Sequence, residues 1–417
     1  MLRRAFLTGL FAAFLTASTV FAGEITFFGT SDKNPLEYEP GEKMTFSVQC
    51  LEDGAAVSGK KLTWTRTGDD GKTEKGEAVS DAANPLKIET SIDVPGFVRI
   101  QVFALDENGK PLGGEQRQFN GGAGVLLDQI EGTPEPADFD AFWNRQKEIL
   151  AQVPMKYTLT RVDADNEKFD VYDVKVDCAG PTPVSGYLCV PKNAEPKSLP
   201  AVVCYQGYSV VSAGKPFVPN AISFQINVHG ILNGQSREYY QELNSTYLKS
   251  YGFPKEENSN PNVSFWRGAM LRVMRSLEFV KSLPEWNGVD LKVRGGSQGG
   301  LQSLAAAGLD ADVTEVEAHV PWFCDLAGKA NNKRLGGWFP EWVDGLGYFD
   351  STNFAKRIKA KQVTIYSGLG DYVCPPSGQV VLFKAIPTET RWVVNQGKTH
   401  GFTQKNAPEY VLEKPAK

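Results

Sequence analysis

Five short, nearly continuous apolar runs in the second half of the chain constrain its fold more than any other feature. They are Leu199–Tyr205, Val289–Val293, Val313–Val320, Gln362–Tyr366 and Arg391–Val394. Turn residues bound each run, and stretches of helical character separate them. Strands that are apolar throughout are buried on both faces, and their alternation with helices is typical of a parallel sheet covered on each side. The pattern predicts an α/β fold with a mostly parallel central sheet.

The N-terminal hundred residues have a different pattern. Polar and apolar side chains alternate in Met44–Val48, Lys61–Thr65 and Phe97–Phe103, with turn-rich segments between them. This period of two, without helical spacing, predicts a small all-β sandwich of the immunoglobulin-like kind over residues 23–122. The region contains no evident catalytic cluster. A spacer or interaction role is the first hypothesis for it, and carbohydrate binding through Trp64 is a weaker alternative.

A glycine-rich segment separates these two patterns. Gly113 to Gly122 is predicted to be a linker, and Pro136–Leu150 then carries apolar side chains at helical spacing. We therefore expect a second domain, of the α/β class, to span residues 123–417. At 417 residues, the chain is long enough for two cores.

The first 22 residues predict a signal peptide. Two arginines, Arg3 and Arg4, precede a long apolar stretch that ends in small side chains at Ala22. Export to the periplasm or the extracellular space is expected, with no stable membrane span after the signal is removed. Cleavage removes both arginines and no acidic residue, so the formal net charge changes from -5 to -7. A net-negative chain without Lys/Arg-rich runs argues against a nucleic-acid partner.

The six cysteines are scattered without a CxxC spacing. No metal site is therefore expected. In an exported protein, Cys178 and Cys189 can pair across a hairpin, but buried free thiols are an equally good prediction.

The clearest chemical motif is Gly295-Gly296-Ser297-Gln298-Gly299. It follows one of the apolar runs and precedes the Ala-rich segment Leu301–Ala307, which favours a helix. A GxSxG sequence between a strand and a helix is typical of a nucleophile elbow, where close backbone contacts require glycine. Ser297 is the predicted nucleophile.

A serine nucleophile needs a base that titrates near neutral pH, and histidine is the usual one. The chain has three histidines. His229 precedes the serine and His319 lies within an apolar run, so both are predicted to be structural. His400 follows the last apolar run on a glycine-flanked loop, in the Ser, acid, His order of this fold. His400 is the predicted general base.

The acid is expected on a loop that follows a strand between Ser297 and His400. Asp371, in Gly368-Leu369-Gly370-Asp371, satisfies this condition and can orient the imidazole. Asp325 is the rival, and a turn-stabilising role explains the glycines beside Asp371 equally well.

Backbone N–H groups are expected to stabilise the oxyanion. The N–H of Gln298 directly follows the nucleophile. The second donor is predicted in the loop Tyr205-Gln206-Gly207-Tyr208-Ser209. Tyr208 is the preferred residue and Gly207 the alternative.

Five motifs together resemble one carbohydrate esterase family. They are the PADFDAFW helix, the YQGYS loop, the GGSQGG elbow, the GLGDYVCPP loop and the KTHGF loop. The chain from about residue 134 to its end is similar to the family that contains acetyl xylan esterases and cephalosporin-C deacetylases. The glutamine directly after the nucleophile and DxxCPP after the acid strand are its most specific motifs.

The resemblance implies that residues 123–417 form an α/β-hydrolase catalytic domain. It implies deacetylation of O-acetylated sugars or xylo-oligosaccharides, without a metal or an organic cofactor. It assigns the triad to Ser297, Asp371 and His400, and the oxyanion donors to Tyr208 and Gln298. The family's Arg-Gly-Gln motif corresponds here to Asn233-Gly234-Gln235, so local support by arginine is missing. Family members without an added module often form ring-shaped hexamers. This chain has an added N-terminal module, so the resemblance implies a homo-oligomer without fixing its form.

Two other functions compete with the esterase. A serine peptidase of the prolyl-oligopeptidase type has the same triad order, although the small N-terminal module argues against a propeller. A non-catalytic protein that binds carbohydrate surfaces is the second, and the presence of all three triad candidates argues against it. Trp322 and Phe323 are candidates for an acyl pocket, but core packing is the preferred interpretation.

Overall fold

The structure is a computed structural model that describes residues 23–416. The predicted signal peptide at residues 1–22 lies outside the described residues. Across residues 23–416, the helices are too short or too polar to cross a membrane.

The N-terminal region contains only strands and one short 3₁₀ turn, Glu115–Arg117. Its strands are β1 (Ile25–Ser31), β2 (Met44–Glu52), β3 (Ala55–Ala56), β4 (Lys61–Gly68), β5 (Thr73–Val79), β6 (Leu86–Thr90), β7 (Gly96–Ala104) and β8 (Gln118–Val125). One sheet has the order β1-β2-β3, with β6 also paired to β2, and the other has the order β5-β4-β7-β8. The β-rich N-terminal region is confirmed, whereas its immunoglobulin-like classification and the domain limits stay predictions.

Alternation explains how these two sheets pack. In β2 every second side chain is buried from Met44 to Cys50, and the intervening ones are partly exposed. These residues join apolar side chains of β7 in one common core. The sheets therefore bury one face each, as the period of two in the sequence predicts.

The predicted linker needs a correction. Its second part, from Gln118 onwards, belongs to β8, which pairs with β7 over its whole length. A Cβ atom at Gly122 would lie 2.2 Å from Val98 O, and one at Gly121 would lie 2.2 Å from Gln396 Oε1. These glycines allow close packing on both sides of the strand, so they do not mark a flexible connection.

The second region alternates strands and helices. Its strands are β9 (Tyr157–Val162), β10 (Phe169–Val176), β11 (Val184–Pro191), β12 (Leu199–Tyr205), β13 (Ile222–Asn227), β14 (Trp286–Gly296), β15 (Glu315–His319), β16 (Gln362–Gly368), β17 (Thr390–Asn395) and β18 (Glu409–Lys414). Its helices are α1 (Phe139–Ala151), α2 (Arg237–Ser245), α3 (Lys255–Asn258), α4 (Phe265–Lys281), α5 (Gln298–Leu309), α6 (Gly328–Asn332), α7 (Ser351–Ala355) and α8 (Pro376–Ala385).

All ten of these strands form one sheet in the order β18-β17-β16-β15-β14-β12-β13-β11-β10-β9. Neighbouring strands from β13 to β17 are parallel. The pairs at both edges are antiparallel, so the sheet as a whole is mixed, with a parallel central part. The outermost strands, β9 and β18, have more exposed side chains than the apolar runs.

The parallel strands determine where a site can form. Tyr205, Gly296, His319, Gly368 and Asn395 end five of them at the same edge of the sheet. In open α/β sheets, the loops beyond the carboxyl ends of the strands carry the ligand site. All the candidate catalytic residues lie on these loops.

Candidate active site

Ser297 occupies a sharp turn between β14 and α5. Its backbone has φ 55° and ψ -118°, a left-handed conformation that is strained for a residue with a Cβ atom. The Ser297 N–H donates to His319 O at 2.9 Å, and the Trp322 N–H donates to Ser297 O at 3.1 Å. The neighbouring chain therefore holds the turn on both sides of the serine.

Glycines around Ser297 allow this turn to pack against β12. A Cβ atom on Gly299 would lie 2.2 Å from Tyr205 O, and one on Gly295 would lie 2.5 Å from the Gly299 carbonyl group. Only glycine avoids such contacts with backbone atoms. The predicted strand-to-helix context of the GxSxG motif is confirmed.

Asp371 and His400 form a hydrogen-bonded pair. The distance from His400 Nδ1 to Asp371 Oδ2 is 2.9 Å. The other carboxylate oxygen accepts from the N–H groups of Val373 at 3.0 Å and Cys374 at 2.9 Å. Asp371 is 1% exposed, whereas the His400 side chain is 22% exposed. The carboxylate is fixed from three directions, and it leaves the second imidazole nitrogen of His400 available for proton transfer.

Backbone hydrogen bonds join the acid loop to the histidine loop. Leu369 N–H donates to Asn395 O, and Gly370 N–H donates to Lys398 O, both at 3.0 Å. The strands before these loops, β16 and β17, are neighbours, and β15 separates β16 from the serine strand β14. The described structure assigns no hydrogen bond between Ser297 and His400. Catalytic hydrogen bonds are often long before substrate binds, so this link belongs to the proposal below.

The rival acid, Asp325, has other partners. Its carboxylate accepts from Thr133 N–H at 2.7 Å and forms an ion pair with Arg334. Both side chains of the pair are at least nine-tenths buried. The structure therefore brings Asp371, and not Asp325, to His400.

The other two histidines contact residues other than Asp371. His319 contacts Glu317 Oε1 at 2.8 Å and stacks on Tyr366. His229 is 2% exposed, and its Nε2 lies 3.0 Å from Ser209 O. Burial lowers the pKa of His229 to about 4, so its imidazole is neutral at physiological pH.

The predicted oxyanion loop lies against the elbow. A Cβ atom on Gly207 would be 4.0 Å from Ser297 Cβ. Among residues 23–416, the Tyr208 N–H has no hydrogen-bond acceptor. The N–H of Gln298, the first residue of α5, has no partner within its helix. Both groups are free to bind an oxygen atom, as expected of oxyanion donors.

Tyr251 connects the two halves of this candidate oxyanion site, and sequence analysis missed it. Its hydroxyl donates to Gln298 Oε1 at 2.8 Å and accepts from Ser209 N–H at 3.0 Å. Its ring stacks on Tyr208, with centroids 4.1 Å apart. Burial raises the pKa of Tyr251, which keeps the hydroxyl protonated. The residue lies outside any motif, so only the fold indicates this role.

Aromatic side chains surround Tyr208. Trp322 and Phe323 are fully buried, which confirms core packing as their preferred interpretation. Trp338, by contrast, is 45% exposed. Its ring packs edge-on to Tyr208, with centroids 5.0 Å apart, and its backbone N–H donates to Val373 O at 3.1 Å. Trp338 therefore lies between the oxyanion loop and the acid loop.

Asn233, at the position of the expected arginine, is 5% exposed. Its amide donates to Asp173 Oδ1 at 2.9 Å and Ser185 Oγ at 3.0 Å. Its oxygen accepts from Ala213 N–H at 3.0 Å and from the Asn227 amide at 2.9 Å. The asparagine thus supplies its own local support.

One group of residues within 23–416 has metal-ligand spacing, and it consists of Asp371, Cys374 and His400. The hydrogen bond between Asp371 and His400 explains why these two residues of the group lie close together. Burial raises the pKa of Cys374 well above that of an ordinary thiol, which disfavours the thiolate that binds metals. All six cysteines, including Cys178 and Cys189, are free thiols in the structure.

Comparison with known proteins agrees with this geometry. The profile of the family described as acetyl xylan esterase (AXE1) matches residues 127–332 and 340–413. The chain belongs to the acetyl xylan esterase family. The match includes every predicted catalytic and oxyanion residue, and it excludes the N-terminal region and the short segment that carries Trp338.

Individual relatives support the same family. The chain is 29% identical over 289 residues to acetyl esterase Axe7A of Xylanibacter ruminicola. The aligned residues make up 66% of this chain and 65% of that protein. An acetyl xylan esterase from Paenibacillus sp. R4 has 27% identity and a TM-score of 0.56, covering 66% of this chain and 93% of that one. Acetyl Xylan Esterase 1 from Thermoanaerobacterium sp. JW/SL YS485, at 24% identity and a TM-score of 0.54, covers 66% and 92%. The two solved structures are α/β-hydrolase esterases, and the large mixed sheet of this chain is consistent with their fold.

Proposed function

We propose that the protein is a serine esterase that removes acetyl groups from O-acetylated sugars. The observation that carries the proposal is the 2.9 Å hydrogen bond between Asp371 and His400, at the sheet edge that also carries the Ser297 elbow. A carboxylate that fixes one imidazole nitrogen orients the other for general-base catalysis. Membership of the acetyl xylan esterase family supports the same chemistry.

The first half of the reaction acylates the enzyme. His400 accepts the hydroxyl proton as Ser297 Oγ attacks the acetyl carbonyl carbon, and the carbonyl π electrons move to oxygen. The N–H groups of Tyr208 and Gln298 stabilise this oxyanion. Collapse of the tetrahedral intermediate breaks the bond to the sugar oxygen, which leaves with the proton from His400.

The second half regenerates the serine. Water attacks the acetyl-enzyme while His400 takes its proton, and the second tetrahedral intermediate collapses to acetate and free Ser297. The proton taken from water returns to the serine oxygen. The sequence consumes one ester and one water and needs no redox partner.

The half-exposed indole of Trp338 supports a sugar as the substrate. It lies beside Tyr208, one of the two oxyanion candidates, and its backbone contacts the acid loop. An aromatic face of this kind offers a large, rigid apolar surface to a ligand. We propose that it contacts the sugar ring whose ester enters the site.

Secretion and assembly are part of the proposal. We propose that the protein acts in the periplasm or outside the cell on an acetylated carbohydrate, as the N-terminal sequence indicates. No nucleic-acid partner is proposed, and a homo-oligomer stays a prediction.

The test is release of acetate from acetylated xylan, acetylated xylose and a cephalosporin, compared with cleavage of a peptide amide. We expect acetate from at least one acetylated substrate, and none above background from Ser297→Ala at equal concentration. Cleavage of the amide alone would instead support the peptidase. Absence of turnover on all four would support the non-catalytic binding protein.

A further inference from the structure

The N-terminal region reaches directly to the catalytic histidine. Glu115, in the 3₁₀ turn between β7 and β8, accepts two hydrogen bonds through a single carboxylate oxygen. The Thr399 hydroxyl donates to Glu115 Oε2 at 2.6 Å, and the Gly401 N–H donates to it at 2.9 Å. These donors are the residues immediately before and after His400. One side chain of the N-terminal region therefore holds both sides of the histidine.

His400 lies at the tip of a very small turn. Lys398 and Thr403 form an isolated antiparallel bridge, and we call residues 398–403 the histidine hairpin. Inside the hairpin, Thr399 N–H donates to Phe402 O at 2.8 Å. Phe402 N–H donates to Thr399 Oγ1 at 3.1 Å. The Thr399 hydroxyl also contacts Phe402 O at 3.2 Å. All three contacts join Thr399 to Phe402 and none involves His400 or Gly401, so the carboxylate adds two bonds at the tip, where the hairpin has least support of its own.

The same region also supports the acid loop. Arg99 of β7 lies over the ring of Tyr372, 4.1 Å from its centre, and donates to Asn120 Oδ1 at 3.0 Å. A Cβ atom on Gly370 would lie 1.9 Å from Asn120 O. Gly370 and Tyr372 are the residues directly before and after Asp371. Strands β7 and β8 thus contact the chain on both sides of the acid, as Glu115 contacts it on both sides of the base.

We propose that Glu115 is a positioning residue for the esterase reaction, which holds His400 in line between Asp371 and Ser297. The proposal rests on the proposed function. It gives the N-terminal region a part in catalysis that neither a spacer nor a carbohydrate-binding role provides. Glu115 lies outside residues 127–332 and 340–413, so it is not part of the family's matched pattern.

Attachment of the two regions does not explain Glu115. Gln404 exchanges two hydrogen bonds with the Gly29 backbone, both at 3.0 Å. Gln396 does the same with Gly122, at 2.9 and 2.8 Å. Both glutamines are buried. Gln396 precedes the histidine hairpin in the chain, and Gln404 follows it. They join the two regions without contacting Thr399 or Gly401. A change at one of these glutamines therefore weakens the contact between the regions and leaves the support of His400 in place.

The experiment compares Glu115→Ala with Gln404→Ala in the full-length protein. Each variant loses two hydrogen bonds between the regions, at the hairpin tip and beyond its base respectively. On the best acetylated substrate, we expect Glu115→Ala to lower kcat by about 10- to 100-fold with KM little changed, because a misplaced catalytic group loses rate rather than binding. Gln404→Ala should lower the melting temperature and change kcat less than about threefold.

A second variant, Glu115→Gln, covers the case in which Glu115→Ala folds poorly, and covalent labelling tests the base without a sugar substrate. Glu115→Gln keeps an oxygen that can accept both hydrogen bonds, so we expect it to recover most of kcat. The rate at which diethyl p-nitrophenyl phosphate labels Ser297 should fall in Glu115→Ala by the same factor as kcat, because labelling also needs the base but no sugar.

Wild-type activity separates the two proposals. If the wild-type protein releases no acetate, the proposed function fails. If it is active and Glu115→Ala keeps kcat, the positioning proposal fails. It also fails if, in both Glu115→Ala and Gln404→Ala, the loss of kcat is proportional to the decrease in melting temperature. Glu115 would then contribute only to stability.

Discussion

The serine elbow and the histidine hairpin lie at the same edge of the sheet, but different parts of the chain hold them. The elbow is fixed by backbone groups of its own region, such as His319 O, which accepts from Ser297 N–H. The histidine hairpin depends on a side chain from the other region, with Glu115 284 residues away from Thr399. A strained turn is stabilised by local packing, whereas a loosely bonded hairpin requires long-range support.

The largest expected effect comes from removing the support of the catalytic histidine. Asp371→Asn removes the carboxylate that orients His400 and favours the wrong tautomer. We expect kcat to fall by about 10²- to 10⁴-fold, measured as acetate release with saturating substrate. The melting temperature should change little in comparison.

Asp325→Asn is the matched control, because it alters the rival acid. It removes the carboxylate charge that pairs with the buried Arg334, and we expect a loss of roughly 3 kcal/mol in the free energy of unfolding. Its kcat should stay within about tenfold of wild type. The reverse outcome, with Asp325→Asn inactive and Asp371→Asn active, would reassign the acid.

The next effect tests whether the elbow is held locally. Gly299→Ala puts a methyl group against Tyr205 O, and the backbone must move to accept it. We expect destabilisation of about 1 to 3 kcal/mol, with a loss of activity, from denaturant unfolding and kcat. Gly113→Ala is the control, because its Cβ atom would meet nothing within 4 Å. If the two variants unfold alike, close packing at the elbow is not required.

The smallest effect concerns the exposed side chain of Trp338, between the oxyanion loop and the acid loop. Trp338→Ala removes the exposed indole beside Tyr208. We expect KM for an acetylated sugar to rise by about 3- to 10-fold with kcat nearly unchanged, because a contact of about 1 kcal/mol is lost. Trp338→Phe should restore part of the binding. An unchanged KM in Trp338→Ala would exclude this side chain from substrate binding.

Local chemistry explains which parts of the fold sequence analysis could predict. The apolar run Leu199–Tyr205 coincides with β12, and the run Gln362–Tyr366 lies within β16. Strand β13 was not predicted, because Ser223, Gln225 and Asn227 interrupt its apolar pattern. Two of these polar side chains are buried, and Asn227 bonds to Ile231 and Asn233. Only the three-dimensional partners make such a strand favourable.

The same distinction applies to the site. Ser297, Asp371 and His400 are recognisable because glycines and strand ends mark their positions in the sequence. Glu115 and Tyr251 have no such marker, since each acts through a contact that the fold alone creates. The glycine-rich segment was assigned to a linker for the same reason: Gly121 and Gly122 serve close packing, which composition does not distinguish from flexibility.

The most direct test of the catalytic account is covalent labelling of the protein by diethyl p-nitrophenyl phosphate, followed by mass spectrometry. The account predicts one diethylphosphoryl group on the peptide that contains Ser297, and a labelling rate at least about 10³-fold lower in His400→Ala. Labelling at another residue, or equal rates in wild type and His400→Ala, would contradict it.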